Sequence, residues 1–142
     1  MDQEEINKLE KAFNNEDNTP LLDLTYNKID NMKKDMLKKI NLDKKTSDNF
    51  LKKLKDYRYI DELPDIKYGA YIRWISLKNP EIIKLTNGGI IMEIKIETDG
   101  IIIVCKNNLN RFFQLNMNEN LIFQKINQEE MVLLSALDYL NN

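Results

Sequence analysis

The residues of this chain that could do acid–base or metal chemistry are few, and their spacing does not suit it. Asp61, Glu62 and Asp65 form a small carboxylate cluster, but it matches no calcium loop and lacks the central glycine of one. There is no histidine and one cysteine, Cys105, which excludes Cys/His zinc sites and Ser–His or Cys–His nucleophile pairs within one chain. We therefore predict a protein that is not an enzyme, with no metal site, cofactor or evident small-molecule substrate; carboxylate or lysine catalysis stays open.

Two further features resemble chemical sites but have simpler structural interpretations. Gly88-Gly89 could open a phosphate-binding loop, yet neither a helix nor a Lys-Ser/Thr pair follows it. The pair is therefore interpreted as a hairpin turn. Cys105 lies in the middle of a predicted strand with no base beside it, so we expect an inert, buried thiol.

Aromatic and basic side chains alternate in two predicted strands. In Tyr71-Ile72-Arg73-Trp74, alternation places Tyr71 with Arg73 on one face and Trp74 on the other. Phe112 and Phe113 are adjacent, so one is predicted to join the core and the other to be a candidate for exposure. Small barrels bind nucleic acids or extended peptides through such faces. The candidate binding residues here are Tyr71, Arg73, Arg111 and Phe112.

A basic segment lies between two acidic ones. Residues 1–27 carry a charge of −5, residues 28–58 carry +6 and the remainder carries −3. The basic segment can bind phosphate backbones by releasing counterions, or it can be a solvated helix surface. Its candidate binding lysines are Lys33, Lys34, Lys38, Lys39, Lys52 and Lys53.

Helical spacing dominates the first half of the chain. Helices are predicted over residues 2–14, from Thr19-Pro20 to about residue 40, and from a cap at Thr46 or Ser47 to about residue 57. Another helix follows a capping box formed by Asn127 and Glu130. The apolar residues proposed for contact with a second copy of the chain are Met32, Met36, Leu133 and Leu137.

Short β-branched and aromatic runs dominate the second half. Strands are predicted over residues 68–77, 82–85, 90–97, 101–106, 111–117 and 121–125. A two-residue turn at Asp99-Gly100 would pair Ile96 with Ile103 and Ile94 with Cys105. Ile102 and Val104 would then lie on the second face, where the C-terminal helix is a candidate to cover them.

The expected fold class is α+β. It comprises an N-terminal helical arm of two to three helices, a small antiparallel SH3-like barrel or curled sheet, and a C-terminal helix. The boundary is predicted to divide residues 1–60 from residues 61–142. No apolar run is long enough to span a membrane, and the first residues lack the basic-then-apolar order of a signal peptide, so we expect an intracellular protein.

The run Tyr68-Gly69-Ala70-Tyr71-Ile72-Arg73-Trp74, together with Gly88-Gly89 and Phe123-Gln124-Lys125, resembles an SH3-like small barrel of the Tudor or KOW sort. Abundant Asn, Ile and Lys, at 19, 18 and 18 residues, point to an AT-rich genome. The chain also resembles uncharacterised proteins of large AT-rich DNA viruses. The Tudor likeness implies peptide or nucleic-acid binding, although no full aromatic cage maps onto these residues. The compartment would be cytoplasm, nucleus, viral factory or virion.

Two functions are consistent with these patterns. The leading hypothesis is a non-enzymatic binding or assembly module, whose basic arm and aromatic–basic barrel face engage protein or nucleic acid. The alternative is a self-associating structural or virion-type protein with no nucleic-acid role. A protein partner or the chain itself is the favoured partner, and nucleic acid is the second possibility.

Overall fold

The computed structural model describes residues 2–140, apart from the side chain of Asn87. Within this range four α-helices accompany one six-stranded antiparallel sheet. The predicted α+β class is confirmed, with helices before the sheet and a helix after it. None of the described helices is both long enough and apolar enough to cross a lipid bilayer.

Each helix begins at a residue whose side chain accepts a backbone N–H from the first turn, as expected of good N-caps. The caps are Asp2, Thr25, Asp43 and Asn127. The predicted capping box is confirmed, because the Glu130 N–H donates to Asn127 Oδ1 at 2.8 Å and the Asn127 N–H donates to Glu130 Oε1 at 3.0 Å. The helices are α1 (Gln3–Asn14), α2 (Tyr26–Lys39), α3 (Lys44–Lys53) and α4 (Gln128–Leu140).

Two predicted helix starts are wrong. Thr19-Pro20 does not begin α2; Pro20 instead lies inside a short 3₁₀ helix over Glu16–Leu21. The cap of α3 is Asp43 rather than Thr46 or Ser47, because the Asp43 carboxylate accepts the Thr46 N–H at 2.7 Å. Thr25 caps α2 instead, accepting the Lys28 N–H at 3.1 Å, so each helix begins at a polar residue other than the one predicted.

The sheet has the spatial order β1-β6-β2-β3-β4-β5, so β1 and β5 are its edges and it does not close into a barrel. Of the two forms predicted, the curled sheet is the one observed. The strands are β1 (Tyr57–Ile60), β2 (Tyr71–Ser76), β3 (Leu85–Glu97), β4 (Gly100–Lys106), β5 (Phe112–Asn116) and β6 (Asn120–Lys125).

The long strand β3 replaces the predicted hairpin at Gly88-Gly89. Two register shifts, at Gly88 and at Met92, mark β-bulges within it. Gly88 has φ +105°, a conformation that favours glycine. The interpretation of Gly88-Gly89 as a turn is therefore wrong: the glycines allow a bulged strand to continue.

The β3–β4 hairpin turns one step earlier than predicted. Glu97 pairs with Gly100, so Ile96 faces Ile101 and Ile94 faces Ile103. The predicted register is wrong by two residues, but a shift of two preserves the faces of the sheet. Ile94, Ile103 and Cys105 accordingly lie on the core face as predicted.

The sheet is curled strongly enough to enclose a core without help from a helix. The Trp74 ring on β2 lies 5.1 Å from the Phe113 ring on β5, although β3 and β4 separate these strands. A flat sheet would place them roughly 14 Å apart, at about 4.8 Å per strand. We call this concave side the inner face; its buried residues are Ile60, Ile66, Ile72, Ile91, Ile103, Cys105, Leu115 and Ile122.

The convex side, which we call the outer face, is covered by α2 and α3 over β1, β6 and β2. Leu37, Phe50 and Leu54 of the helical region pack there against Ile75 and Phe123. The helical arm therefore packs on its own sheet. Helix α4 does not cover Ile102 and Val104 as predicted; it packs against α1 and α2 in a third cluster, which contains Ala12, Leu21, Ile29, Ile126, Leu133, Leu134 and Leu137.

A buried polar network joins the third cluster to the sheet. Lys67 Nζ donates to Asn18 Oδ1 at 2.6 Å and lies 3.2 Å from Glu130 Oε2. The Asn18 amide donates in turn to the Ala12 carbonyl and to Glu129 Oε1. Glu130 is 1% exposed, so its charge depends on Lys67 for compensation.

Candidate functional site

Four side chains form a row across four neighbouring strands of the outer face. Tyr71 is paired with Ile90, Ile90 with Lys106, and Lys106 with Phe112. Residues that face each other across antiparallel strands point to the same side of the sheet. We call Tyr71, Ile90, Lys106 and Phe112 the cross-strand row; it is roughly 14 Å long, at about 4.8 Å per strand.

Ile90, Lys106 and Phe112 lie outside the cluster that the helices cover on the outer face, and Tyr71 packs against that cluster. Phe112 is 64% exposed and Ile90 is 40% exposed, whereas Tyr71 and Lys106 are half-buried. Lys106 Nζ lies 5.9 Å from the centre of the Phe112 ring, within range of a cation–π interaction. A protein without a ligand on this face thus leaves apolar and aromatic surface in water.

Adjacent phenylalanines on β5 have opposite fates, as predicted. Phe113 points to the inner face and packs on Trp74, while Phe112 points to the outer face and is exposed. The Phe113 ring can occupy the inner face because Gly89, close to it, has no side chain. A Cβ built on Gly89 would lie 2.8 Å from Phe113 Cζ.

The Tyr71 end of the row opens into a cleft of about 600 Å³. Lys125 of β6 lines this cleft together with Tyr71, Lys67 and Tyr68. Tyr68 is 65% exposed and Lys125 is exposed, so the cleft presents an aromatic ring and an ammonium group to solvent. Together the row and the cleft combine exposed apolar surface with positive charge.

Arg73 and Lys33, both predicted to bind a ligand, instead hold the end of α3. Arg73 Nη1 donates to the Lys53 carbonyl at 3.4 Å. Lys33 is 2% exposed, and its Nζ donates to the Leu54 carbonyl at 2.9 Å and lies 3.3 Å from Asp30 Oδ1. Cationic side chains commonly satisfy the free carbonyls at a helix C-terminus. Lys33 therefore has no surface to offer a ligand.

The other predicted basic residues are exposed but are not gathered at one point. Lys34, Lys38 and Lys39 lie on α2, whereas Lys52 and Lys53 end α3. Arg111 is exposed immediately before Phe112, at the Phe112 end of the row. The last turn of α3 contacts the outer face through the hydrogen bond from Arg73 to the Lys53 carbonyl.

The residues proposed for self-association lie mainly inside the fold. Leu133 and Leu137 are buried against α1 and α2, and Met36 packs on the cluster around Leu37. Met32 is 36% exposed. Buried leucines cannot contact a second copy unless the chain opens, so contact through Leu133 and Leu137 requires a different fold.

A different apolar surface is available on the helices. A groove of about 720 Å³ runs between α1 and α4, lined mostly by apolar side chains that include Leu9, Phe13 and Tyr139. Phe13 is 41% exposed and Tyr139 is 82% exposed. Helix α1 contributes one side of this groove and α4 the other.

Burial shifts the pKa values of several groups in the sheet. Burial raises the pKa of Tyr57, which lies near Tyr71. The positive charge of Arg73 opposes this shift. Burial raises the pKa of Cys105 to about 12, in agreement with an inert thiol. Among residues 2–140 no three His, Cys, Asp or Glu side chains converge as metal ligands, and Asp65 is paired with Arg58.

The sequence did not identify four residues of the candidate site: Ile90, Lys106, Lys125 and Tyr68. Alternation around Cys105 did indicate that Lys106 points away from the core, but not which residues it meets. The partners of Lys106 are Ile90 and Phe112, which follow only from the register of two hairpins and from the Met92 bulge. Only the strand pairing could have identified the row.

Comparison with known proteins gives no relative from which a function could be inferred, so the fold and the site must supply it. No protein-family model, no curated protein and no solved structure matches this chain.

Proposed function

We propose that the protein is a non-enzymatic binding module that holds a single-stranded nucleic acid on the outer face of its sheet. The observation that carries this proposal is the cross-strand row, in which Phe112 and Tyr71 flank Ile90 and Lys106 on one exposed surface. Aromatic rings on a sheet stack unpaired bases, while nearby lysines neutralise phosphates.

The positive charges around the row support the same ligand. Lys106, Lys125 and Arg111 lie along or at the ends of the row, and exposed Lys52 and Lys53 end α3, whose Lys53 carbonyl accepts a hydrogen bond from Arg73 on the same face. If about three of these cations contact phosphates, the logarithm of the association constant should fall with the logarithm of salt concentration with a slope of about −2. The remaining helical lysines add a weaker, longer-range attraction.

The test is fluorescence anisotropy with a labelled thymidine oligonucleotide at two salt concentrations. Phe112→Ala should weaken binding by roughly 5- to 150-fold, since stacking of one base contributes about 1–3 kcal/mol. Lys106→Ala should weaken binding and reduce the salt slope by about 0.7. The matched control is Lys95→Ala: Lys95 lies on the same face of β3 but faces Ile102, outside the row.

Two results would reject the proposal. One is the absence of salt-sensitive binding at micromolar protein. The other is binding by the Phe112→Ala and Lys106→Ala variants that equals binding by the Lys95→Ala variant.

A second candidate function is self-association, and the groove between α1 and α4 favours it. Exposed rings such as Phe13 and Tyr139 around a mainly apolar groove are typical of protein contact surfaces. Light scattering at rising protein concentration tests this function. A dimer that the Phe13→Asp variant abolishes would support it, and a strict monomer at high concentration would exclude it.

A further inference from the structure

The cleft beside Tyr71 is continuous with the cross-strand row but differs from it in shape. The row is open at its Phe112 end, because β5 is an edge of the sheet. At the opposite end lies the cleft, and the start of α4 bounds it through Asn127, Gln128 and Met131. A chain of nucleotides that follows the row towards Tyr71 therefore reaches a cleft that α4 borders on one side.

The lining of the cleft suits one nucleotide. Tyr68 offers an exposed ring for stacking, and Lys125 offers an ammonium group for a phosphate. Lys67 also lines the cleft, but its Nζ is already bound by Asn18 and Glu130, so its free charge is small. Gly69 leaves the backbone open, since a Cβ built on it meets nothing within 4 Å. The volume of about 600 Å³ lies in the range of small-ligand sites.

We propose that this cleft receives the terminal nucleotide of the bound strand, so that the protein prefers strand ends to strand interiors. The inference rests on the proposed function, because it assumes a single strand on the row. Tyr68 stacks the terminal base, Lys125 neutralises a phosphate beside it, and α4 prevents the strand from continuing. Asp56, also in the lining, opposes binding of additional phosphates.

The experiment compares a linear thymidine oligonucleotide with the same oligonucleotide ligated into a circle, which has no end. The linear form is expected to bind about tenfold more tightly, the contribution of one stacked base. Tyr68→Ala should lower the affinity for the linear form to that for the circle and leave the circle unchanged. Phe112→Ala, the matched control, should weaken both forms, because it acts on the row and not on the cleft.

The outcomes separate the two proposals. Equal affinity for the linear and circular forms would overturn the preference for ends and leave binding on the row intact. Equal weakening of both forms by Tyr68→Ala would also overturn it, because Tyr68 would then contact strand interiors. Binding of neither form would remove the proposed function itself. Tyr68 is 65% exposed, so Tyr68→Ala is not expected to impair folding, and circular dichroism checks this.

Discussion

At the scale of single residues, the absence of a side chain at Gly89 is what allows the sheet to curl. A Cβ at this position would lie 2.8 Å from Phe113 Cζ, 3.3 Å from Cys105 Cβ and 3.4 Å from Ile72 Cγ1. The nearest of these atoms belongs to a ring that is itself packed on Trp74 at 5.1 Å. The ring cannot move without disturbing the contact that joins β2 to β5.

Gly89→Ala should therefore lower the free energy of unfolding by about 1–3 kcal/mol, the usual cost of overpacking a core. Urea denaturation measures the effect. Combining Gly89→Ala with Phe113→Leu should cost less than the sum of the two single changes, because the smaller side chain leaves room for the methyl group. Combination with Phe112→Leu, on the opposite face, should be additive. Additivity with Phe113→Leu would show that the two residues do not share this space.

The Cys105 thiol gives the protein a predictable dependence on alkaline pH. Burial raises its pKa to about 12 in the folded chain, against about 8.5 in an unfolded one. The unfolded thiol therefore ionises first as pH rises. Its contribution to stability is complete below pH 8.5 or so and is lost as pH increases towards 12, with a slope of up to about 1.4 kcal/mol per pH unit.

Urea denaturation between about pH 7.5 and pH 10 should show this loss of stability in the wild-type chain. Cys105→Ala lowers stability at every pH by leaving a small cavity, but it should flatten the slope. Buried tyrosines such as Tyr57 and Tyr59, whose pKa values burial also raises, contribute a slope of the same sign at higher pH. Unfolded tyrosines ionise only near pH 10, so the loss of stability between about pH 8.5 and pH 9.5 reports mainly on the thiol. An unchanged slope in the Cys105→Ala variant would contradict the assignment.

At the scale of helices and strands, the sequence correctly predicts features that depend on residues close together in the chain. The capping box of Asn127 and Glu130 begins α4 where expected, and alternation around Phe112 and Phe113 separates core from surface correctly. The hairpin register is wrong because Gly100 starts β4 instead of closing the turn. The row of Tyr71, Ile90, Lys106 and Phe112 depends on pairing between distant segments and on two bulges, and no local pattern specifies these.

The network around Lys67 is a contact between elements that depends on charge. Lys67 is 14% exposed and Glu130 is 1% exposed, so neither ion is well solvated. Removing one charge of such a pair leaves the other without compensation. Glu130 Oε2 has no hydrogen bond among the described residues apart from this ion pair, which makes Lys67 its main stabilising partner.

Glu130→Gln should destabilise the fold by about 3 kcal/mol, because the ammonium group of Lys67 then lies largely buried without a counter-charge. The amide can still accept the Asn127 N–H, so the start of α4 is preserved. Adding Lys67→Met should restore part of the loss, which a double-mutant cycle of urea midpoints measures. If the double variant loses as much unfolding free energy as the two single variants together, the two charges are not coupled.

At the scale of the whole molecule, the contacts cross the predicted boundary between residues 1–60 and residues 61–142. Strand β1 lies before the boundary and pairs with β6 after it. Leu37 and Phe50 precede the boundary and cover Phe123, while Ala12 of α1 packs in one cluster with Leu133 of α4. The two parts therefore bury apolar surface that neither part covers alone.

We predict that the chain unfolds in one cooperative step and that residues 61–142 do not fold by themselves. The shortened chain would expose Leu121 and Phe123 on the outer face and leave Leu133 of α4 without α1. In the full chain, helical circular dichroism and the fluorescence of Trp74, which reports on the inner face, should give the same urea midpoint. Two separate midpoints, or a dispersed NMR spectrum with a cooperative transition for residues 61–142, would establish two independent domains. In that case the basic helices would be an appendage of the sheet, and the binding affinity of residues 61–142 for the oligonucleotide would measure how much the helical lysines add.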